Sequence, residues 1–351
     1  MSFEYQRVPD LGAGLRLHLN ENVGGCSPAV LRAVRALDET SMATYPTYER
    51  ATGKCAEHLG VPPDEVLLTN GLDDGIMAAC VAAARERVTV PESIVVEPAF
   101  DMYAACTDAT GGRVATIRPR PDLAFPIDEL LAAIGPATRL VFLTSPNNPT
   151  GHLIDPEAID RIAEAARHAT VFLDEAYGDF GGTTFIGRRA DHPNVLVGRT
   201  FAKAYGLAAL RIGAVVGDPE RLAALRRSVT PYSVNICAMV GLEAALRDRE
   251  HVERYVSDVR RSRRLLYDAC TRWGVQYWES AANFVLVKIG ARASEVVRAL
   301  AGRGIFIRDR SAEPGCDGCV RITTGRVQDT EACIAALDDI IQTEAAPCAA
   351  P

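Results

Sequence analysis

Lys203, Asp174 and Tyr177 are the residues whose types and positions first point to chemistry. Asp174 and Tyr177 follow the apolar run at 171–173, and Lys203 follows the apolar run at 195–197. A lysine amine can form a Schiff base if its pKa is lowered. A carboxylate can hold a protonated ring nitrogen, because opposite unit charges at ~4 Å gain about 4 kcal/mol at an effective dielectric of about 20. These residues predict a site for an aldehyde that carries a basic ring.

Three further apolar runs are followed by groups that complete this set. Gly71, Leu72 and Asp73 lie where a glycine turn opens a helix pattern, and the free N–H groups of a helix N-terminus suit phosphate. Phe100 follows the next run and offers a stacking face, and Asn148 follows another run and offers an amide. Phosphate, flat ring, ring nitrogen and aldehyde together describe pyridoxal phosphate.

The runs themselves indicate the fold that must position these groups. They are continuous rather than alternating, which is typical of buried, mostly parallel strands. Ligands of such open sheets bind beyond the carboxyl ends of the strands. The strand-like runs are 66–69, 94–96, 140–143, 171–173, 195–197 and 214–216, and helix patterns cover 74–87, 127–134 and 156–168. We therefore predict an α/β sheet with helices on both faces.

The C-terminal part of the chain has a different pattern. A long helix pattern runs from about 233 to 270 with a break near 249–250, and strand-like runs at 284–289, 305–307 and 320–323 follow. This pattern predicts a smaller α+β domain. We expect an arm over 1–40 that packs on the small domain or a partner subunit, a large cofactor-binding domain over 41–240, the small domain over 241–345 and a tail over 346–351.

Three segments resemble the signatures of fold-type I, class I/II aminotransferases. They are Ser-Pro-Asn-Asn-Pro-Thr-Gly at 145–151, Asp-Glu-Ala-Tyr at 174–177 and Thr-Phe-Ala-Lys-Ala-Tyr-Gly-Leu-Ala-Ala-Leu-Arg-Ile-Gly at 200–213. Their order and spacing match the family over nearly the whole chain. The resemblance implies a mostly parallel seven-stranded sheet sandwiched by helices, pyridoxal 5'-phosphate as cofactor, and transfer of an amino group from an amine donor to a 2-oxo acid.

The resemblance also implies a role for each residue around the cofactor ring. Lys203 would form the Schiff base with the cofactor and move the proton between the substrate Cα and the cofactor. Asp174 would hold the ring nitrogen, and Phe100 would stack on the ring. Asn148 and Tyr177 would bond the phenolic oxygen of the ring.

The resemblance implies a separate set of residues that bind the cofactor phosphate. The backbone of the turn at 71–73, Thr200 and Arg211 would hold it. Tyr45 resembles the tyrosine that reaches the phosphate in the neighbouring subunit, so the resemblance implies a homodimer.

Within this family, the chain most resembles the branch of the histidinol-phosphate aminotransferases. The similar segments are 19–22, which ends at Asn22, together with 282–287 and 304–309. In that branch Asn22 would belong to the substrate site and Arg308 would bind the substrate phosphate, although Arg308 could also be an ordinary strand-edge arginine. Arg321 resembles the arginine that clamps the substrate α-carboxylate bidentately.

Departures from that branch leave the substrate open. Val23-Gly24-Gly25 replaces the usual Pro-Tyr-Gly, so an aromatic wall of the substrate pocket is missing, and Ala202 replaces a serine before the lysine. The alternatives are an aminotransferase of specialised metabolism with another substrate, or a decarboxylase or oxidative deaminase on the same scaffold.

Composition excludes several other classes. The net charge of −7 argues against nucleic acid as the main partner, as does the short segment before the arm. No window approaches about 18 consecutive apolar residues, so we expect no membrane span. The six histidines show no metal-ligand spacing, and we predict no metal. Ten scattered cysteines without a secretory signal lead us to expect a cytoplasmic protein with free thiols.

Overall fold

The structure is a computed structural model that describes residues 12–85 and 90–342. The start of the predicted arm and the predicted tail at 346–351 lie outside these ranges. The strands are β1 (Leu15–Arg16), β2 (Val66–Thr69), β3 (Glu92–Val96), β4 (Arg113–Ile117), β5 (Thr138–Thr144), β6 (Thr170–Asp174), β7 (Val195–Thr200), β8 (Gly213–Val216), β9 (Gln276–Trp278), β10 (Phe284–Lys288), β11 (Ile305–Phe306), β12 (Arg308–Asp309) and β13 (Cys319–Thr323).

The helices surround the sheets and connect most of the strands. They are α1 (Pro28–Arg35), α2 (Glu39–Ala43), α3 (Glu49–Leu59), α4 (Leu72–Arg85), α5 (Met102–Ala109), α6 (Ile127–Ala133), α7 (Pro156–Ala165), α8 (Gly178–Gly181), α9 (Pro219–Arg226), α10 (Ile236–Arg247), α11 (Arg249–Trp273), α12 (Ala293–Gly302) and α13 (Val327–Gln342). Among the residues described, every helix is too short or too polar to cross a bilayer.

The large sheet has seven strands in the order β2-β8-β7-β6-β5-β3-β4. Neighbouring strands are parallel except at β8, which runs antiparallel to both β7 and β2. Alternate side chains enter two different cores, because Val141 and Leu143 of β5 pack on one face while Leu140 and Phe142 pack on the other. The prediction of a mostly parallel sheet buried between helices is confirmed.

Strand β4 was missed by the sequence prediction, which found the other six strands of this sheet. It lies at the edge and pairs with β3 alone. Its residues Arg113 and Thr116 are exposed and the others are only half-buried. A half-exposed edge strand lacks the continuous apolar run that marks the buried strands, so its periodicity signal is weak.

The long helix pattern of the C-terminal part forms two helices, with the break at Asp248. The Asp248 carboxylate accepts a hydrogen bond from the His251 backbone N–H at the start of α11, at 3.4 Å, and another from the Ser27 hydroxyl. Aspartate is a favoured N-cap because its side chain satisfies a free N–H of the first turn. The predicted break near 249–250 is therefore correct to within a residue.

A second sheet, the small sheet, lies in the C-terminal part of the chain and is bonded to the N-terminal arm. Its strands are antiparallel in the order β12-β13-β10-β9. Nearby, β1 of the arm pairs in parallel with β11, with Leu15 opposite Ile305. The Thr323 backbone N–H, at the end of β13, donates to the Leu17 carbonyl at 2.9 Å. These bonds carry residues 18–21 of the arm over the carboxyl ends of the large-sheet strands.

We expect Gly213→Ala to destabilise the protein by about 1–3 kcal/mol, as overpacking of a tight interior commonly does. A Cβ at Gly213 would lie 2.8 Å from the Leu72 nitrogen and 2.9 Å from the Gly71 carbonyl carbon, which are backbone atoms with little freedom to move. Urea denaturation would measure the loss. Gly187→Ala is the matched control, because a Cβ there meets nothing within 4 Å. Equal midpoints for the two variants would contradict this packing constraint.

Candidate active site

A cavity of about 320 Å³ lies between the carboxyl ends of the large-sheet strands, the arm and the small sheet. A pocket of this size, with a few convergent polar groups, is typical of a small-molecule site. The predicted residues that line it are Leu72, Asp73, Phe100, Asn148, Asp174, Tyr177, Thr200, Lys203, Arg211, Arg308 and Arg321. The structure therefore brings together side chains that are spread over most of the chain.

Lys203 lies beyond the end of β7, with its amine held by the arm. Its Nζ donates to the Leu19 carbonyl at 3.0 Å and lies 6.0 Å from the centre of the Tyr177 ring. Removal from water and the positive charge of Arg321 lower the pKa of the Lys203 amine to about 8. A lysine with this pKa has a substantial neutral fraction near neutral pH, which a nucleophilic amine requires.

Asp174 ends β6 and is buried. Its Oδ2 accepts from the Tyr103 hydroxyl at 2.7 Å and its Oδ1 accepts from the Ala176 backbone N–H at 2.8 Å. Burial raises the pKa of Asp174 to about 6, although the Tyr103 hydrogen bond opposes this shift. Because no arginine or lysine pairs with Asp174 among the described residues, the carboxylate suits a cationic ring nitrogen.

Tyr103 is a site residue that the sequence prediction missed. Its hydroxyl also lies 2.8 Å from the Thr144 hydroxyl, and its ring stacks on Phe142. Burial raises the pKa of Tyr103 well above its usual value, so it remains a hydrogen-bond donor. No local signal in the sequence identifies this role, because Tyr103 lies in the first turn of α5 and has the pattern of an ordinary core aromatic.

The arm contributes Asn20 rather than Asn22 to the cavity. The Asn20 Nδ2 donates to the Tyr177 hydroxyl at 2.9 Å, and the Thr323 hydroxyl donates to the Asn20 Oδ1 at 3.1 Å. The Asn22 side chain instead donates to the Ala204 carbonyl at 2.9 Å and accepts from the Gly24 N–H. Asn22 is not among the residues that line the cavity, so its predicted substrate contact is not seen here.

The opposite end of the cavity has the features of an anion cradle. Helix α4 begins at Leu72, directly after Gly71, whose φ is +75°. A Cβ at Gly71 would lie 2.5 Å from the Arg211 Nη2 and would push the guanidinium away, and the positive φ itself favours glycine. Arg211 itself pairs with the Asp73 Oδ2 at 2.8 Å, and Thr200 ends the neighbouring β7. A helix N-terminus beside an arginine is well suited to a phosphate.

The small sheet places two arginines over the other side of the cavity. Arg308 of β12 is directly opposite Arg321 of β13. The buried Arg321 donates to the Asn148 Oδ1 at 2.5 Å and to the His18 carbonyl at 2.7 Å, and it has no carboxylate partner among the described residues. Burial and the neighbouring Arg310 lower the pKa of Arg321 to about 10, so it remains cationic at neutral pH. Such a site attracts an acidic ligand.

Tyr45 lies away from the cavity of its own chain. Its side chain is 78% exposed and stacks on Tyr232 with the ring centroids 4.4 Å apart. The prediction that Tyr45 serves a neighbouring subunit remains a prediction. Within the described residues, no group of three or more His, Cys, Asp or Glu side chains is placed to hold a metal ion.

The fold and the cavity define an α/β enzyme whose site fits pyridoxal phosphate at the ring nitrogen, the amine and the phosphate end. Residues 9–337 match the profile of the family described as aminotransferase class I and II. A histidinol-phosphate aminotransferase of Symbiobacterium thermophilum is 35% identical, with 95% of this chain and 92% of that protein covered. Histidinol-phosphate aminotransferase 2 of Ralstonia nicotianae is 34% identical, with 95% and 90% covered.

A solved structure agrees with these sequence relationships. The histidinol-phosphate aminotransferase of Sinorhizobium meliloti, in complex with pyridoxal 5'-phosphate, superposes with a TM-score of 0.83 at 28% identity, with 94% of this chain and 91% of that chain covered. The chain belongs to the class I and II aminotransferases. It is a pyridoxal-phosphate-dependent enzyme that transfers an amino group, so the predicted family, cofactor and reaction are confirmed.

We expect the rate of pyridoxal phosphate capture by the cofactor-free protein to rise with pH and level off above about pH 8. The neutral amine is the nucleophile, and Lys203 becomes neutral as the pH rises through its pKa of about 8. Stopped-flow absorbance of the bound cofactor would follow the rate. Arg321→Gln removes a nearby positive charge and should move the apparent pKa upward. A rate that continues to rise toward pH 10 in the wild type would contradict the lowered pKa, and Lys203→Ala should show no capture.

Proposed function

We propose that this aminotransferase takes its amino group from histidinol phosphate, or a closely similar phosphorylated amino alcohol, and passes it to a 2-oxo acid. The observation that carries the proposal is the pair Arg308 and Arg321, which face each other across β12 and β13 at the cavity. Neither arginine has a carboxylate partner among the described residues. The names of the relatives at 34–35% identity support the same donor.

The residues around the ring have distinct tasks in this proposal. Bound pyridoxal phosphate supplies a carbon that takes up the amino group and a ring that accepts the electron pair left at the substrate Cα. The Lys203 Nζ would take the proton from the substrate Cα and pass it to the cofactor carbon that takes up the amino group. Asp174 keeps the ring nitrogen protonated, and Tyr103 fixes the orientation of that carboxylate. Asn148 binds the phenolic oxygen of the ring.

The other predicted contacts are assigned in the same way. Tyr177 binds the phenolic oxygen together with Asn148, and Asn20 fixes the direction of its hydroxyl through the bond of 2.9 Å. Phe100 packs edge-to-face on Tyr103, at 5.8 Å between ring centroids, and faces the ring of the cofactor. The turn at 71–73, Thr200 and Arg211 hold the phosphate.

We also propose a homodimer in which Tyr45 reaches the cofactor phosphate of the partner subunit. The support is the stacked pair Tyr45 and Tyr232, since both large side chains are more than half exposed in the single chain. Exposed aromatic side chains are enriched in protein interfaces. The nine described cysteines are unpaired, which supports a reducing compartment such as the cytoplasm.

A second candidate is an aminotransferase that acts on a different amine donor. It is favoured by Val23 and Gly24, which stand where the resembling family has an aromatic wall. Neither lines the cavity, and a Cβ at Gly24 would lie 3.3 Å from the Tyr255 ring. This part of the arm packs into the protein and leaves the imidazole of histidinol phosphate without that wall.

The donor is tested by titrating the holoenzyme with histidinol phosphate, glutamate, phenylalanine, arginine and threonine phosphate. We expect histidinol phosphate to convert the cofactor to its amine form fastest, as followed by absorbance. Arg308→Ala should lower kcat/KM for histidinol phosphate about 10–100-fold, because it removes hydrogen bonds to a charged group. The control Arg298→Ala, at an exposed arginine of α12, should have no effect.

Other outcomes of this titration exclude the first donor. Fast conversion by another amine with none by histidinol phosphate would assign the second candidate. Release of carbon dioxide or peroxide would exclude plain transamination.

The dimer is tested by sedimentation and by mixing two inactive variants. We expect a particle of twice the chain mass of 37.7 kDa. Lys203→Ala and Tyr45→Ala should each lose most activity. Refolding them together should restore up to about a quarter of the wild-type rate, because each mixed two-fold dimer contains one complete site. A fully active monomer would contradict the role of Tyr45.

A further inference from the structure

A second cavity of about 470 Å³ shares no lining residue with the candidate active site. Its walls are the loop at 151–153, one face of α11, and the segment at 279–281 between β9 and β10. Arg260, Arg263 and Arg264 of α11 all line this space, which we call the arginine cleft. Its volume suits a small molecule.

The three arginines of the cleft lie close together on one side of α11. Residues three and four positions apart are neighbours on a helix surface, so Arg260 is adjacent to both Arg263 and Arg264. Like charges at this spacing destabilise a helix. None of the three side chains pairs with a carboxylate within the part of the chain that the structure describes. The arrangement therefore lowers the stability of the helix when the cleft is empty.

Arginines elsewhere on α11 show the contrary pattern. Three that lie outside the cleft have carboxylate partners at N–O distances of 2.5, 3.8 and 3.5 Å: Arg254 with Glu250, Arg261 with Asp258, and Arg272 with Asp338. A helix surface that only faces solvent commonly carries such mixed charges. Unpaired positive charge is thus concentrated on the face of α11 that lines the cleft.

Arg263 is held in place without being neutralised. Its Nη1 donates to the Ser280 carbonyl and, at 3.0 Å, to the Ala282 carbonyl. Carbonyl oxygens satisfy a donor but carry no net charge. Burial lowers the pKa of the half-buried Arg263, and the charges of Arg260 and Arg264 lower it further. A negatively charged occupant would relieve this repulsion.

The composition of the cleft indicates which anion fits. Glu279 is the one carboxylate among the lining residues, against three guanidinium groups. Arg260 and Arg264 are exposed, so a ligand can reach their donors. The planar fork of a guanidinium matches the oxygens of a phosphate, and a phosphate group carries up to about two negative charges at neutral pH. The excess of positive charge therefore favours a phosphate group over a single carboxylate.

We propose that the arginine cleft is a second ligand site, which binds a small molecule that carries a phosphate or diphosphate group. The ligand bridges α11 and the loop at 151–153. That loop ends the turn that carries Asn148, and the Gly151 carbonyl accepts from the Ala281 N–H at 2.8 Å. Occupation of the cleft therefore stabilises the contact between this turn and the segment at 279–281.

The test is calorimetric titration of the holoenzyme with pyrophosphate, at an ionic strength held constant with chloride. The holoenzyme is used because its cofactor occupies the phosphate end of the active site. We expect saturable binding with a Kd below about 1 mM. The double variant Arg260→Gln/Arg264→Gln should weaken it about 10–100-fold, because it removes hydrogen bonds to a charged group. Malonate, a dicarboxylate with fewer charges, should bind the wild type more weakly than pyrophosphate does.

Two control variants separate the cleft from other positive charges. Arg254→Gln/Arg261→Gln removes two exposed arginines from the same helix, outside the cleft. Arg308→Ala removes an arginine of the active-site cavity. Both should keep the affinity for pyrophosphate.

Thermal unfolding gives a second readout. Pyrophosphate should raise the Tm of the wild type, because a ligand that binds only the folded state stabilises it, and it should not raise the Tm of Arg260→Gln/Arg264→Gln. Without pyrophosphate, that double variant should be no less stable than the wild type, because the substitutions remove like charges from neighbouring helix positions.

Four outcomes would overturn the proposal. Binding that is lost in Arg308→Ala and kept in Arg260→Gln/Arg264→Gln would place the anion in the active site. Equal weakening in Arg254→Gln/Arg261→Gln would show a general effect of surface charge. A lower stability of Arg260→Gln/Arg264→Gln without ligand would show that these arginines support the fold. Malonate binding as tight as that of pyrophosphate would exclude a site for phosphate groups.

Discussion

The buried carboxylate of Asp174 is the constraint on which the rest of the site depends. It lies at the end of a central parallel strand, where burial raises its pKa to about 6 and no cationic side chain of the described chain compensates it. Tyr103 and the Ala176 N–H satisfy its oxygens but do not neutralise it. A cationic ligand at this position would neutralise the carboxylate, and the protonated ring nitrogen of pyridoxal phosphate is such a ligand.

Positively charged groups lie at both ends of the cavity. The helix N-terminus at Leu72 and Arg211 form one cationic end, and the small sheet with Arg308 and Arg321 forms the other. Lys203 lies between them, and its lowered pKa is a consequence of burial and of Arg321. Arg321 thus adds positive charge to the cavity and also favours the neutral, nucleophilic form of the Lys203 amine. The arm closes this arrangement, because it accepts hydrogen bonds from both Lys203 and Arg321.

Much of the fold and of the cofactor site could be predicted, since both are marked by local patterns. The buried strands appear as continuous apolar runs, and the residues after them meet at one edge because parallel strands end together. What escaped prediction lacks a local signal. Strand β4 is half-exposed, and Asn20 was passed over for Asn22 because the choice between them depends on contacts with Tyr177 and Ala204. In the sequence, Tyr103 has the pattern of an ordinary core aromatic. Only the structure shows that its hydroxyl donates a hydrogen bond to Asp174.

The sequence by itself determined the α/β architecture and the cofactor and predicted the role of the lysine, because their motifs combine residue type with position after a strand. Only the tertiary structure shows how the arginines of the small sheet are placed around the cavity. The pairing of β12 with β13 brings Arg308, Arg310 and Arg321 to one face of the small sheet. Strand β12 is too short to give a periodic pattern in the sequence. Arg308 and Arg321 lack carboxylate partners among the described residues, because Glu21 pairs with Arg16 and Glu313 pairs with Arg310. Charge balance at a cavity is a sum over distant segments, and the order of residues along the chain does not contain it.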